Sequence, residues 1–198
     1  MKSIWAKLEL IAKKSGKTLG LQKGNSETSI AAAEKILNFK FPEDFRESLL
    51  LHNGQNGDPM ELFEWIPGCS PLAPLKSIIE QWGEEKESFE PEEKLKSLEK
   101  GLMYNVMFHP KRIPIAGTPY WDGDNTYLDL IPGPKGTKGQ LITMVSECDF
   151  IVLGKSFKEA LETYVAVLDS GKWKYPKDER TNVSYEYYKF LKKWKAKR

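Results

Sequence analysis

Apolar residues recur at helical spacing toward both ends of the chain and fall into short extended runs between. Ile4, Trp5, Leu8, Ile11 and Ala12 form one stripe with lysines between them, which predicts an amphipathic first helix ending before Gly16. Glu9 and the shortness of the stripe favour packing on a core over lying in a membrane surface. After a polar loop, Ser26 is placed to cap a second helix running through Leu37, with Ile30, Ala33 and Leu37 on one face. Pro42 with Glu43 and Asp44 opens a third helix, whose inward residues are Phe45 and Leu49 and whose left-handed stop is Asn53-Gly54. Met60 to Ile66 reads as a strand, and Leu75, Ile78, Ile79 and Trp82 as a further helix.

From Gly83 to Lys100 glutamates and lysines alternate, the pattern of a solvated surface excursion. The rhythm then changes to strands at Ile113–Ala116, Tyr127–Ile131, Gln140–Val145 and Phe150–Leu153, separated by Gly, Pro, Asp and Asn clusters. Their short connections imply antiparallel neighbours. Ser156 caps a helix carrying Phe157, Ala160, Leu161 and Tyr164, and a last helix holds Tyr185, Tyr188, Leu191 and Trp194. The expected fold is α+β: a mainly antiparallel central sheet of four to six strands flanked by N-terminal and C-terminal helices, in one domain over residues 1–198.

Composition narrows the class. With 40% hydrophobic and 29% charged residues the chain resembles an ordinary globular domain. Thirty basic against 28 acidic side chains leave a net charge of +2, so no global field draws it to nucleic acid or membrane, and recognition must rest on local chemistry. Cys69 and Cys148 are too few for a disulfide framework, which suits a reducing compartment, and Lys7 and Glu9 interrupt any secretory leader at once. Both features predict a cytoplasmic protein with no membrane span.

Candidate catalysis is thin. His52 and His109 are the two histidines, and neither adjoins a Gly-x-Ser-x-Gly turn or a cysteine nucleophile. A hydrolase would have to combine one of them with Asp129 and a serine such as Ser146. No Cys-x-x-Cys or His-Glu-x-x-His offers zinc ligands, so neither metal nor cofactor is expected. Asp122-Gly123-Asp124-Asn125-Thr126 opens like a calcium loop, but Tyr127 and Gly133 stand where the turn glycine and bidentate glutamate belong. Gly133-Pro134-Lys135-Gly136-Thr137-Lys138-Gly139 leads into a strand instead of a helix, so it reads as a strand connection and not a phosphate loop. In Tyr187 to Lys195, Tyr187, Leu191 and Trp194 form a stripe that should pack inward and leave lysines in water; direct nucleic-acid binding is not expected.

Three ordered segments carry a family resemblance. Ile30 to Leu37 with Phe41-Pro42-Glu43-Asp44-Phe45 and His52-Asn53-Gly54 comes first; Ile113-Pro114-Ile115-Ala116, Tyr127-Leu128-Asp129-Leu130 and Gly139-Gln140-Leu141-Ile142 follow; Val152 to Leu161 closes the series. Over about residues 26–164 the chain resembles the SUKH superfamily, with helical extensions at 1–15 and 172–198 outside the clear match. The resemblance implies a non-enzymatic binding domain with a protein partner; separately, the chain is expected to be a monomer. In bacteria that is an immunity protein neutralising a cognate toxin such as a nuclease or deaminase, and in fungi a scaffold of wall-integrity signalling. The chain's compactness favours the bacterial reading. Departures from the family pattern mark candidate partner-binding residues: Arg112, where an aromatic often precedes Ile-Pro-Ile, and the bulky connector Tyr120, Trp121, Asp122 and Asp124. Trp121 is the expected anchor, with Asp122 and Asp124 meeting basic groups.

Overall fold

Helices from both ends of the chain and the strands between them share one interior. The computed structural model describes residues 1–90, 99–147, 149–178 and 180–196. Within them the chain runs α1 (Lys2–Lys14), β1 (Leu21–Lys23), α2 (Glu27–Leu37), α3 (Glu43–Leu51), β2 (His52–Gln55), α4 (Leu75–Glu87), β3 (Arg112–Ala116), β4 (Thr126–Asp129), β5 (Gln140–Val145), β6 (Asp149–Gly154), α5 (Phe157–Ser170) and α6 (Val183–Lys195). Local chemistry sets several boundaries. The Ser26 hydroxyl accepts from the Ser29 amide, and Ser156 from that of Glu159, so α2 and α5 begin at serine caps as their sequences predict.

Strands β3 to β6 form one antiparallel meander in chain order. One face presents Ile113, Ile115, Leu128, Leu141, Ile151 and Leu153 to the main core, which the helices close. The opposite face carries Tyr127, Ile142, Met144 and Phe150, covered by Met103 and Met107. Both faces are thus buried, which is why these strands read as continuous apolar runs and not as an alternation. The terminal helices share this interior: Trp5 and Leu8 of α1 and Tyr187 and Leu191 of α6 lie in the same cluster as the sheet.

Three sequence expectations need correction. Met60–Ile66 is not a strand; prolines at 59 and 67 bound the run, the Phe63 amide donates to the Thr18 carbonyl, and Trp65 and Ile66 turn directly into the core. Asn53-Gly54 does not stop α3 as a left-handed cap. The helix ends at an extended His52 and passes straight into β2, which pairs antiparallel with β1 in a two-stranded sheet. Gly54 does have a positive φ of 78°, but the reason is close approach: a Cβ there would lie 2.7 Å from the Leu72 carbonyl oxygen. Asn53 instead serves α4, its Oδ1 accepting from the Leu75 amide at 2.8 Å where Pro74 offers no cap. Finally, the charged stretch from Gly83 is not wholly a solvated excursion. It continues α4 to Glu87, and Glu85 and Glu99 are both buried; residues 91–98 lie outside the described residues.

Candidate interaction site

The five sequence candidates separate into two groups. Arg112 lies in the core, 1% exposed, and is not part of any surface. Its guanidinium donates to the carbonyls of Tyr104, Val106 and Met107, lies 5.0 Å over the Phe150 ring, and faces Asp129 Oδ1 at 3.5 Å. Asp129 is completed by the Ile131 amide and by Gln140 Nε2 at 2.9 Å. Burial pulls the Arg112 pKa down and the Asp129 charge opposes that fall, as expected of a desolvated pair. Its effect is positional: it ties the 104–107 segment to the sheet.

Tyr120, Trp121, Asp122 and Asp124 occupy the β3–β4 connection. Thr118 organises it, its hydroxyl oxygen accepting from the Tyr120 and Asp122 amides and donating to Asp122 Oδ1 at 2.5 Å. Trp121 adopts a left-handed φ of 55°, a strained conformation for an aromatic residue, held by its amide bond to the Thr118 carbonyl and by Asn125 Nδ2 on its own carbonyl. Its ring covers Gly117: a Cβ there would come within 2.2 Å of Trp121 Cε3. Asp124 is turned inward. It accepts from the amides of Ser146 and Glu147 and from Asn182 Nδ2, the N-cap side chain of α6, so its acceptors serve the fold. Tyr120 is 84% exposed and Asp122 is exposed, so the outward chemistry of the loop belongs to Tyr120, Trp121 and Asp122.

Trp121 stands between two grooves. On one side an apolar cleft of about 410 Å³ is lined by Pro59, Leu62, Pro71, Pro74 and Pro119, among others. Met60, 83% exposed, and Tyr120 follow the lining residues Pro59 and Pro119 in the chain. On the other side a groove of about 440 Å³ is lined by Glu84 and Glu85 of α4, by Asp122 and Glu147, and by Met107 and Phe108. Glu85 is the unusual member. Its Oε1 accepts from Tyr127 Oη and Gln81 Nε2, both at 3.0 Å, and burial outweighs those bonds to lift its pKa to about 7. Sequence reading missed Glu85 because it sits in a run of charges; the helical spacing Leu75, Ile78, Trp82, Glu85 was the available signal.

The other candidates do not assemble. His52 meets the Trp5 ring edge-on, and His109 packs against Phe89 and Tyr104 with Nδ1 accepting from the Lys111 amide. Asp129 is committed to Arg112 and Gln140, and Ser146 lies on the turn held by Asp124, so the hydrolase set is not brought together. The Gly133–Gly139 loop connects β4 to β5, and its amides point inward, to Leu102, Gly101, Gly133, Gln140 and Asp129. On α6, Lys189, Lys192 and Lys195 are paired with Glu186, Glu99 and Glu159. No helix among the described residues is long and apolar enough to cross a membrane.

A four-stranded antiparallel meander between helical layers, with a small two-stranded sheet beside it, defines an α+β domain. The chain belongs to the SMI1/KNR4 family (SUKH-1), whose model matches residues 24–163. It is similar to the cell wall biosynthesis/cell cycle regulator smi1 of Schizosaccharomyces pombe, 26% identical over 172 residues that cover 80% of this chain and 34% of that protein. It is also similar to a glucan synthesis regulatory protein of Neurospora crassa, 24% identical over 238 residues, covering 96% of this chain and 44% of that protein. The chain therefore spans less than half the length of these curated relatives. Both are named as fungal regulators, which favours the wall-assembly reading over the toxin-immunity reading that compactness suggested.

Proposed function

We propose that this chain is a non-catalytic protein-binding domain that recruits a partner in the regulation of cell-wall or glucan assembly, through the face around Trp121. Membership of a family whose matched relatives are named as regulators supports the regulatory part. One observation carries the site: Trp121 is fixed in a strained turn between an apolar and an acidic groove, with the exposed Tyr120 next to it in the chain. A rigid aromatic beside a proline-lined cleft suits a binding anchor, because little conformational entropy is lost when it is covered.

Affinity capture from the host with the wild-type chain and Trp121→Ala tests this reading. Proteins of wall or glucan synthesis should be held by the wild type and released at least about 30-fold more readily by the variant, the loss expected of an interface hot spot. Equal retention by Trp121→Ala would refute the site, and capture of a toxin nuclease or deaminase would refute the wall-assembly reading.

A further inference from the structure

The acidic groove has a composition that specifies its occupant. Among the described residues its lining includes the carboxylates of Glu84, Glu85, Asp122 and Glu147, and no lysine or arginine. These carboxylates do not converge on a point: among the described residues no group of acidic, histidine or cysteine side chains could hold a metal ion. Spread acceptors suit an extended cation with several donors better than a compact one. Asn125, 4% exposed, also lines the groove and holds its Trp121 wall in place: its Nδ2 donates to the Trp121 carbonyl, and its Oδ1 lies over Gly117, 2.7 Å from where a Cβ there would stand. Met107, Phe108 and Trp121 supply apolar and aromatic walls for a methylene stem and a planar head.

From this arrangement we infer that the groove between α4 and the Trp121 loop receives an arginine side chain of the partner protein. The inference rests on the reading of the Trp121 face as a partner-binding surface. The guanidinium lies against the Trp121 side of the groove, with Glu84, Asp122 and Glu147 around it and Glu85 below. Glu85 is faced by Gln81 and Glu84 on its own helix and by Tyr127 from the sheet, with Asp122 and Glu147 also lining the groove. Because burial holds Glu85 partly protonated near pH 7, an arriving cation displaces its proton, and binding strengthens from pH 6 to pH 8.

The probe is N-acetyl-arginine methylamide, titrated into the full chain by NMR beside its lysine and citrulline counterparts. The arginine compound should move the side-chain resonances of Trp121, Gln81 and Asn125 saturably. Citrulline, its neutral isostere, should bind at least about tenfold more weakly, as should the arginine compound to E84Q/E147Q, since charge-assisted bonds are lost. Equal binding of citrulline, equal binding of lysine, or shifts confined to other residues would overturn the assignment. In affinity capture, retention of the partner by E84Q/E147Q but not by Trp121→Ala refutes the arginine groove and leaves the interface standing. Loss by both variants supports it, and retention by both refutes the two together.

Discussion

Replacing Glu85 by glutamine isolates the energetic cost of holding a carboxylate beneath the acidic groove. The hydrogen bonds from Tyr127 Oη and Gln81 Nε2 both end on Oε1 of Glu85, an acceptor that glutamine keeps. The pKa is raised from 4.5 to about 7, so the folded chain holds a proton that the unfolded chain has already released. Stability from this group is therefore greatest below pH 4.5, falls as pH rises through the interval to 7, and is level above it. The full cost at high pH is about 3 kcal/mol, from roughly 1.4 kcal/mol per pKa unit. Between pH 5 and pH 8 the wild type should lose about 2.5 kcal/mol through this group alone, and Glu85→Gln nothing. Urea unfolding of both proteins at the two pH values measures the difference, because every other titrating group is shared. The variant should gain on the wild type by about 2.5 kcal/mol on going to pH 8. A gap that stays constant with pH, or that narrows, would refute the burial account of Glu85.

The remaining predictions concern the elements that frame this face. Arg112→Ala should destabilise by about 3–5 kcal/mol in urea unfolding, since it leaves Asp129 buried and unpaired, and adding Asp129→Asn should restore part of that loss. Gly117→Ala places a methyl in the Trp121 ring and should displace it, lowering partner capture as Trp121→Ala does; tryptophan fluorescence reports the displacement. Deleting residues after Val183 removes Tyr187 and Leu191 from the core and should cost at least about 4 kcal/mol of stability without altering nucleic-acid affinity. A filter-binding signal that falls steeply with salt and vanishes on deletion would contradict that last point.

What the sequence disclosed was set by how local each cause is. Ser26 and Ser156 cap helices through bonds to residues three positions on, so α2 and α5 were legible from spacing. Strands β3 to β6 were legible because turn-forming clusters bracket apolar runs too short for helices. Strands β1 and β2, by contrast, have the polar sequences Leu-Gln-Lys and His-Asn-Gly-Gln and exist only by pairing with a partner distant in the chain. Arg112 looked like surface chemistry because its partners are mostly main-chain carbonyls of residues 104–107, which a sequence displays as nothing special. The outward placement of Tyr120, Trp121 and Asp122 was readable from a connector bulkier than its turn required. The grooves on either side were not, since they are built from α4, residues 55–74 and the β5–β6 turn at once.

The central claim is that a partner docks on the face around Trp121, and contact is its most direct measure. A photo-crosslinking amino acid at position 120, beside Trp121, should join the chain to a protein of wall or glucan assembly in the host, while the same group at the exposed position 36 on α2 should not. Crosslinks to that protein from position 36 with none from position 120 would contradict the account.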